Sequence, residues 1–161
     1  MKNLKVLKKR LVNNMSKRKK EKKKYHLRLP VDTANLEIIR EFVSGIAHNL
    51  GFSAEDIHRI VLAVDEASTN IIKHAYKDSE NNQNFIFIDV IAHTDRLEIN
   101  VIDKGRGFNP ESVKVPEMNA YLKKMKRGGL GLYLINTLMD QVDYHINPGV
   151  HNCIKMIKYI S

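Results

Sequence analysis

The chain has a single cysteine, Cys153, so no intramolecular disulfide can form and no cysteine cluster can hold zinc. Among its seven histidines, His48, His58, His74, His93, His145 and His151 show no zinc-ligand spacing. No apolar run approaches the ~20 residues that span a bilayer, and the N-terminal segment lacks the continuous apolar stretch of a secretory signal. A Gly-Lys-Ser/Thr phosphate loop is missing, as are protein-kinase-type signatures and a serine in a nucleophile elbow. These absences exclude disulfide scaffolds, zinc modules, helical membrane proteins, Walker-type nucleotide binding and serine-hydrolase chemistry. A reducing cytoplasm is the expected setting. Cys153 lies in a strand pattern, where a buried small hydrophobe and a reactive thiol are the two readings.

What is present is a soluble composition, 43% hydrophobic and 28% charged over 161 residues, which suits one domain. The net charge of +9 is unevenly placed. Residues 1–24 hold ten Lys, two Arg and one Glu, a net of +11, and the remainder carries −2. The division expected is a basic tail over 1–24 and a near-neutral folded domain over 25–161. Leu4, Leu7 and Leu11 share a helical face among the lysines. The tail is therefore either a basic amphipathic helix, able to touch a membrane, nucleic acid or an acidic partner, or a solvated extension that cannot bury a core. Met15 is an alternative start that would remove half of it.

Hydrophobic periodicity gives the element order. Tyr25 to Pro30 alternates as a short strand. Asp32 is an N-cap, followed by Leu36, Ile39, Val43, Ile46, Ala47 and Leu50 at helical spacing, and Gly51 stops the helix. Ser53 caps a second helix with Glu55 and Asp56 at its positive end. That helix runs to about Tyr76, with an apolar stripe through Ile57, Ile60, Val61, Val64, Ser68, Ile71, Ile72 and Ala75. Asp78 to Asn84 is a polar turn. Asn84 to His93 is a strand apolar on both faces, hence central. After a Thr94-Asp95 turn, Arg96 to Asp103 alternates and forms a hairpin with it. Lys104 to Arg127 is a long loop of the kind that serves as a lid. A helix over about Gly129 to Asp140 precedes strands at Val142 to Ile146 and Asn152 to Ile160, around an Asn147-Pro148-Gly149 turn. This order predicts an α+β two-layer sandwich, three helices covering one face of a mixed, mostly antiparallel sheet.

Three motifs carry the chemistry. Glu66 and Asn70 lie one helical turn apart, opposite the apolar stripe, with Ala63 and Ala67 beside them leaving room for a ligand. A polar face looking at water is the plainer alternative. Asp103 continues the inward parity of Leu97, Ile99 and Val101, so its carboxylate is aimed into the layer between sheet and helices, where it needs a donor. An adenine amino group would be one, with Gly105 and Gly107 letting the backbone turn closely around a base; a surface Asp-Gly turn is the alternative. Gly128, Gly129, Leu130 and Gly131 open a helix, and free N–H groups at such an end suit phosphate. Lys123, Lys124, Lys126 and Arg127 would add positive potential; a hinge without ligand is the alternative. His74, one turn beyond Asn70, reads as a structural helix-end residue.

Taken in order, Glu66-x-x-x-Asn70, Asp103-x-Gly105-x-Gly107 and Gly129-x-Gly131 resemble the Bergerat-type (GHKL) ATPase fold. Val64 to Tyr76 and Gly128 to Ile135 are similar to the anti-sigma-factor serine/threonine kinases within it, and the similarity spans about residues 25–160. The resemblance implies ATP and Mg²⁺ as cofactors, with Asn70 as metal ligand and Glu66 as general base. It implies that Asp103, Gly105 and Gly107 bind adenine, that Gly129, Leu130 and Gly131 contact phosphates, and that 108–127 form the lid. It further implies a STAS-type antagonist as substrate, a sigma factor held by partner switching, and a homodimer. The wider fold often has a Thr near the last strand that helps bind adenine; here Asn152 and Cys153 stand nearest. A nucleotide-binding sequestration module without transfer and a small ATPase are the rival readings, and nucleic-acid binding through the tail is a third.

Overall fold

The computed structural model describes residues 22–76, 84–108 and 130–161. The expected lid beyond Phe108, Gly128, Gly129 and most of the basic tail lie outside them. Strand β1 (Lys23–Pro30) leads through a short 3-10 turn into α1 (Leu36–Leu50). Asp32 is extended (φ −149°) and its Oδ1 accepts from Ala34 N at 2.8 Å. The cap thus belongs to the 3-10 turn Thr33–Asn35, one step ahead of the helix it was expected to start. At the other end Gly51 N donates to His48 O and Phe52 N to Ala47 O, a Schellman turn with Gly51 at φ 91°.

Ser53 opens α2 (Ala54–Asn70), its Oγ accepting from Asp56 N at 3.1 Å. Five further residues, Ile71–Ala75, wind as a π-helix, where an unbroken α-helix to Tyr76 was expected. Strands β2 (Phe85–Ala92) and β3 (Arg96–Asp103) form the anticipated hairpin. Helix α3 (Gly131–Leu138) precedes β4 (Gln141–Asn147) and β5 (His151–Tyr159).

The sheet order is β1-β2-β3-β5-β4, and every pairing is antiparallel; the anticipated mixed component is absent among the described strands. Three α-helices among the described residues cover one face. On that face Ile86, Ile88, Val90, Leu97, Ile99, Val101 and Met156 meet Ile39, Val43, Ile60, Val64 and Ile135, all at most 1% exposed. Each such side chain contributes about 2 kcal/mol by leaving water. Strand β2 is internal, as its two-sided apolar pattern implied. Its outward Phe85 lies under Arg28, whose guanidinium carbon is 3.8 Å from the ring centroid.

Polar residues mark both ends of the β3–β5 ladder on the core face. At one end Lys158, 7% exposed, meets Asp140 at 3.1 Å and Asp56 at 3.8 Å. At the other, Asp103 stands opposite Asn152. Among the described residues, no helix is long and apolar enough to cross a membrane.

Candidate functional site

Helix α2 lies between α1 and α3 and packs on both. Its buried stripe is therefore wider than its apolar pattern suggested. Ala63 and Ala67 are fully buried; they are packing contacts and leave no space for a ligand, contrary to expectation. Glu66 and Asn70 stay half-buried at the margin of this contact. Gly131, in the first turn of α3, sits directly against them. A Cβ on Gly131 would fall 2.8 Å from Asn70 Nδ2 and 2.9 Å from Glu66 Oε2. The missing side chain lets a carboxylate, a carboxamide and the N-terminus of α3 converge. Leu130 precedes that helix without a side-chain cap, so among the described residues no side chain caps its first N–H groups, the kind of donors that suit an anion.

The second half of the site forms where β3 ends. Asp103 is 5% exposed, on the inward side that its parity predicted. Its Oδ1 accepts from Gly105 N at 2.6 Å and from Asn152 Nδ2 at 3.1 Å. Burial raises the carboxyl above its ordinary range, while these two bonds and the nearby His151 pull it back. A polar group so enclosed is a candidate for recognising a donor.

The π-helical segment joins the two halves. Ala75 O accepts from Arg106 N at 3.1 Å and Tyr76 Oη from Lys104 N at 2.9 Å. A Cβ on Gly105 would lie 2.5 Å from Ala75 O, so only glycine lets this loop approach the helix end. Gly107 is needed for a different reason: its φ is 68°, a left-handed conformation that side chains disfavour. The β4–β5 turn closes the arrangement, with Gly149 N donating to Gly105 O at 2.7 Å. The π-helical turn Ile71–Ala75 thus continues from the end of α2 that carries Glu66 and Asn70 and buttresses the Asp103 loop at its own far end.

Of the residues expected at the site, Glu66, Asn70 and Gly131 are brought together, and Asp103, Gly105 and Gly107 form one loop. Leu130 is the N-cap of α3, and Gly129 lies outside the described residues. Ala75, Tyr76 and Gly149 were not anticipated; backbone contacts leave no residue-type signal. Between Asn152 and Cys153, strand parity decides: Asn152 faces the core beside Asp103, and Cys153 faces away, its Sγ 3.8 Å from Asn100 Oδ1. Burial, with Asp89 nearby, pushes the Cys153 thiol up to about 11, so the buried-hydrophobe reading holds. His74 is exposed within the π-helical turn. Among the described residues no three His, Cys, Asp or Glu side chains cluster to hold a metal ion.

Comparison with known proteins gives the family. The family model described as histidine kinase-like ATPase domain matches residues 29–158. The serine-protein kinase RsbW of Listeria monocytogenes is 39% identical over 143 residues, 86% of this chain and 88% of its own length. That of Bacillus pumilus is 35% identical over 140 residues, covering 84% and 85%. Among solved structures, the SiaB–SiaC complex of Pseudomonas aeruginosa contains a chain matched at TM-score 0.65 and 12% identity, over 98% of this chain and 99% of that one. A Mycobacterium tuberculosis protein solved as its RsbU and RsbW domains matches at TM-score 0.61 and 15% identity, over 84% of this chain and 32% of its own. At such identities the two structural likenesses speak to the fold. The chain belongs to the histidine kinase-like ATPase domain family and, within it, to the RsbW serine-protein kinases.

Proposed function

We propose that this chain is an ATP-dependent serine/threonine protein kinase and anti-sigma factor. It phosphorylates a STAS-type antagonist and, when that antagonist is modified, holds a sigma factor by partner switching in the cytoplasm. The observation that carries the reading is the meeting of Glu66, Asn70 and the N-terminus of α3 at Gly131. A sequestration module has no need of a carboxylate at that point; a phosphotransferase does.

The residues divide the work. Glu66 accepts the proton of the attacking serine hydroxyl as general base. Asn70 Oδ1 is an oxygen of the kind a hard cation takes; it would hold Mg²⁺, which would supply charge neutralisation. The first N–H groups of α3, with Gly129, Leu130 and Gly131, receive phosphate oxygens. Asp103 accepts from the adenine amino group, and Gly105 and Gly107 shape the wall beside it. Phosphoryl transfer asks mainly for positioning and charge stabilisation, which is what the fixed α2–α3 contact provides. The transferred group leaves the antagonist with about −1.5 to −2 of new charge, enough to release it from an interface fitted to a neutral hydroxyl. A homodimer is the expected assembly.

The test is nucleotide affinity with and without Mg²⁺. Wild type should bind ATP in a magnesium-dependent way. Asn70→Ala should lose the magnesium dependence, and Asp103→Asn should lose affinity for ATP and ADP alike. Equal binding by all three proteins would remove these residues from the site.

A further inference from the structure

Asp103 and Asn152 face each other across the β3–β5 ladder at the point where both strands open into loops. Asn152 is 2% exposed. Its Nδ2 donates twice, to Asp103 Oδ1 at 3.1 Å and to Gly105 O at 2.9 Å. Two acceptors on one side fix which end of the carboxamide carries nitrogen. Gly105 N donates to the same carboxylate oxygen, so Asp103 Oδ1 is engaged by two donors and none of the described donors reaches Oδ2. The Oδ1 of Asn152 is buried, and among the described residues no donor reaches it. It lies beside Gly107, where an added Cβ would come within 2.9 Å of it. Asn152 therefore accepts an unsatisfied atom in order to hold its neighbours.

We infer that Asn152 is a positioning residue for base recognition: it ties up one oxygen of Asp103 and the Gly105 carbonyl together, leaving Asp103 Oδ2 as the oxygen that reads an exocyclic amino group. The inference rests on the assignment of Asp103 to the adenine proposed above. The choice of amide has a chemical reason. A hydroxyl at this position carries one hydrogen and could hold either the carboxylate or the carbonyl. An amide nitrogen carries two and holds both. Its donation also favours the ionised form of the carboxylate, opposing the burial that raises it.

The experiment compares two probes, ATP and purine riboside triphosphate, which lacks the 6-amino group. Wild type, Asn152→Asp and Asn152→Thr are each titrated with both. Wild type should prefer ATP. Asn152→Asp replaces the donor by a second carboxylate without changing shape, and at pH 8 ATP affinity should fall about tenfold, the scale of a lost bond to a charged group. Affinity for the purine analogue should hardly change, which also reports that the variant is folded. Lowering the pH to 6 should restore ATP binding to Asn152→Asp, because two facing carboxylates share a proton that again bridges them. His151 and Tyr76 are the other titratable groups acting around Asp103; both are kept in every protein, so wild type serves as their control. Asn152→Thr, with one hydrogen, should fall between. Equal losses for both probes, or no loss for either, would overturn the positioning role while leaving Asp103 in place. A wild type that does not distinguish the probes would overturn the base-reading assignment itself.

Discussion

Replacing Gly131 by alanine separates what this residue does for stability from what it does for chemistry. The added Cβ would meet Asn70 Nδ2 at 2.8 Å and Glu66 Oε2 at 2.9 Å. Ordinary contact begins near 3.4 Å, so both side chains must retreat by about half an ångström, since the packed core beneath leaves the helices little freedom to part. Both atoms are the ends of side chains and can move. The fold therefore tolerates the change, and alanine is the better helix former by up to about 1 kcal/mol. The apo melting temperature should stay within about 4 °C of wild type. Chemistry is less forgiving. Misplacement by about 1 Å can cost roughly 100-fold in rate, so half that shift in both the base and the metal-holding amide should slow transfer by about tenfold or more. Circular dichroism gives the melting temperature, and transfer of labelled γ-phosphate to the antagonist serine gives the rate. A rate near wild type would remove Glu66 and Asn70 from the reaction centre. A melting temperature lowered by more than about 8 °C would make Gly131 a packing residue instead.

The glycine just past the end of β3 should behave in the opposite way. Gly105→Ala drives a Cβ to 2.5 Å from Ala75 O and 2.6 Å from Ala75 Cβ, both tied to backbone that cannot rotate aside. A loss of about 3 kcal/mol is expected, read in urea as a lower unfolding midpoint with unchanged slope; an unaltered midpoint would show that the α2–β3 loop contact bears no strain. Cys153, with its thiol pushed up to about 11 by burial, should resist a thiol reagent in the native protein at pH 8 and react at once in denaturant. Rapid native-state labelling would contradict its placement.

The helices and most strands were legible because their signals are local. Ser53 and Gly51 mark caps that need only neighbouring backbone. The alternation of Arg96 to Asp103 survives intact as a buried-inward pattern, and it placed the Asp103 carboxylate correctly. What was not legible depends on partners distant in the chain. The insertion of β5 between β3 and β4 is set by packing of the whole sheet. Ala63 and Ala67 read as room for a ligand because small residues permit either open space or close helix contact, and only the position of α3 decides. The π-helical turn at Ile71–Ala75 has no composition signal, yet it directs Ala75 O and Tyr76 Oη to the Asp103 loop. Asn152 could be chosen over Cys153 only once the register set it opposite Asp103.

Glu66→Ala tests the central claim most directly. The variant removes the carboxylate that lies against Gly131 and leaves Asn70, Asp103 and the α3 N-terminus untouched. The account predicts ATP affinity within about threefold of wild type and phosphate transfer to the antagonist serine reduced by at least about 100-fold, the lower range for a general base. Undiminished transfer by Glu66→Ala would contradict it.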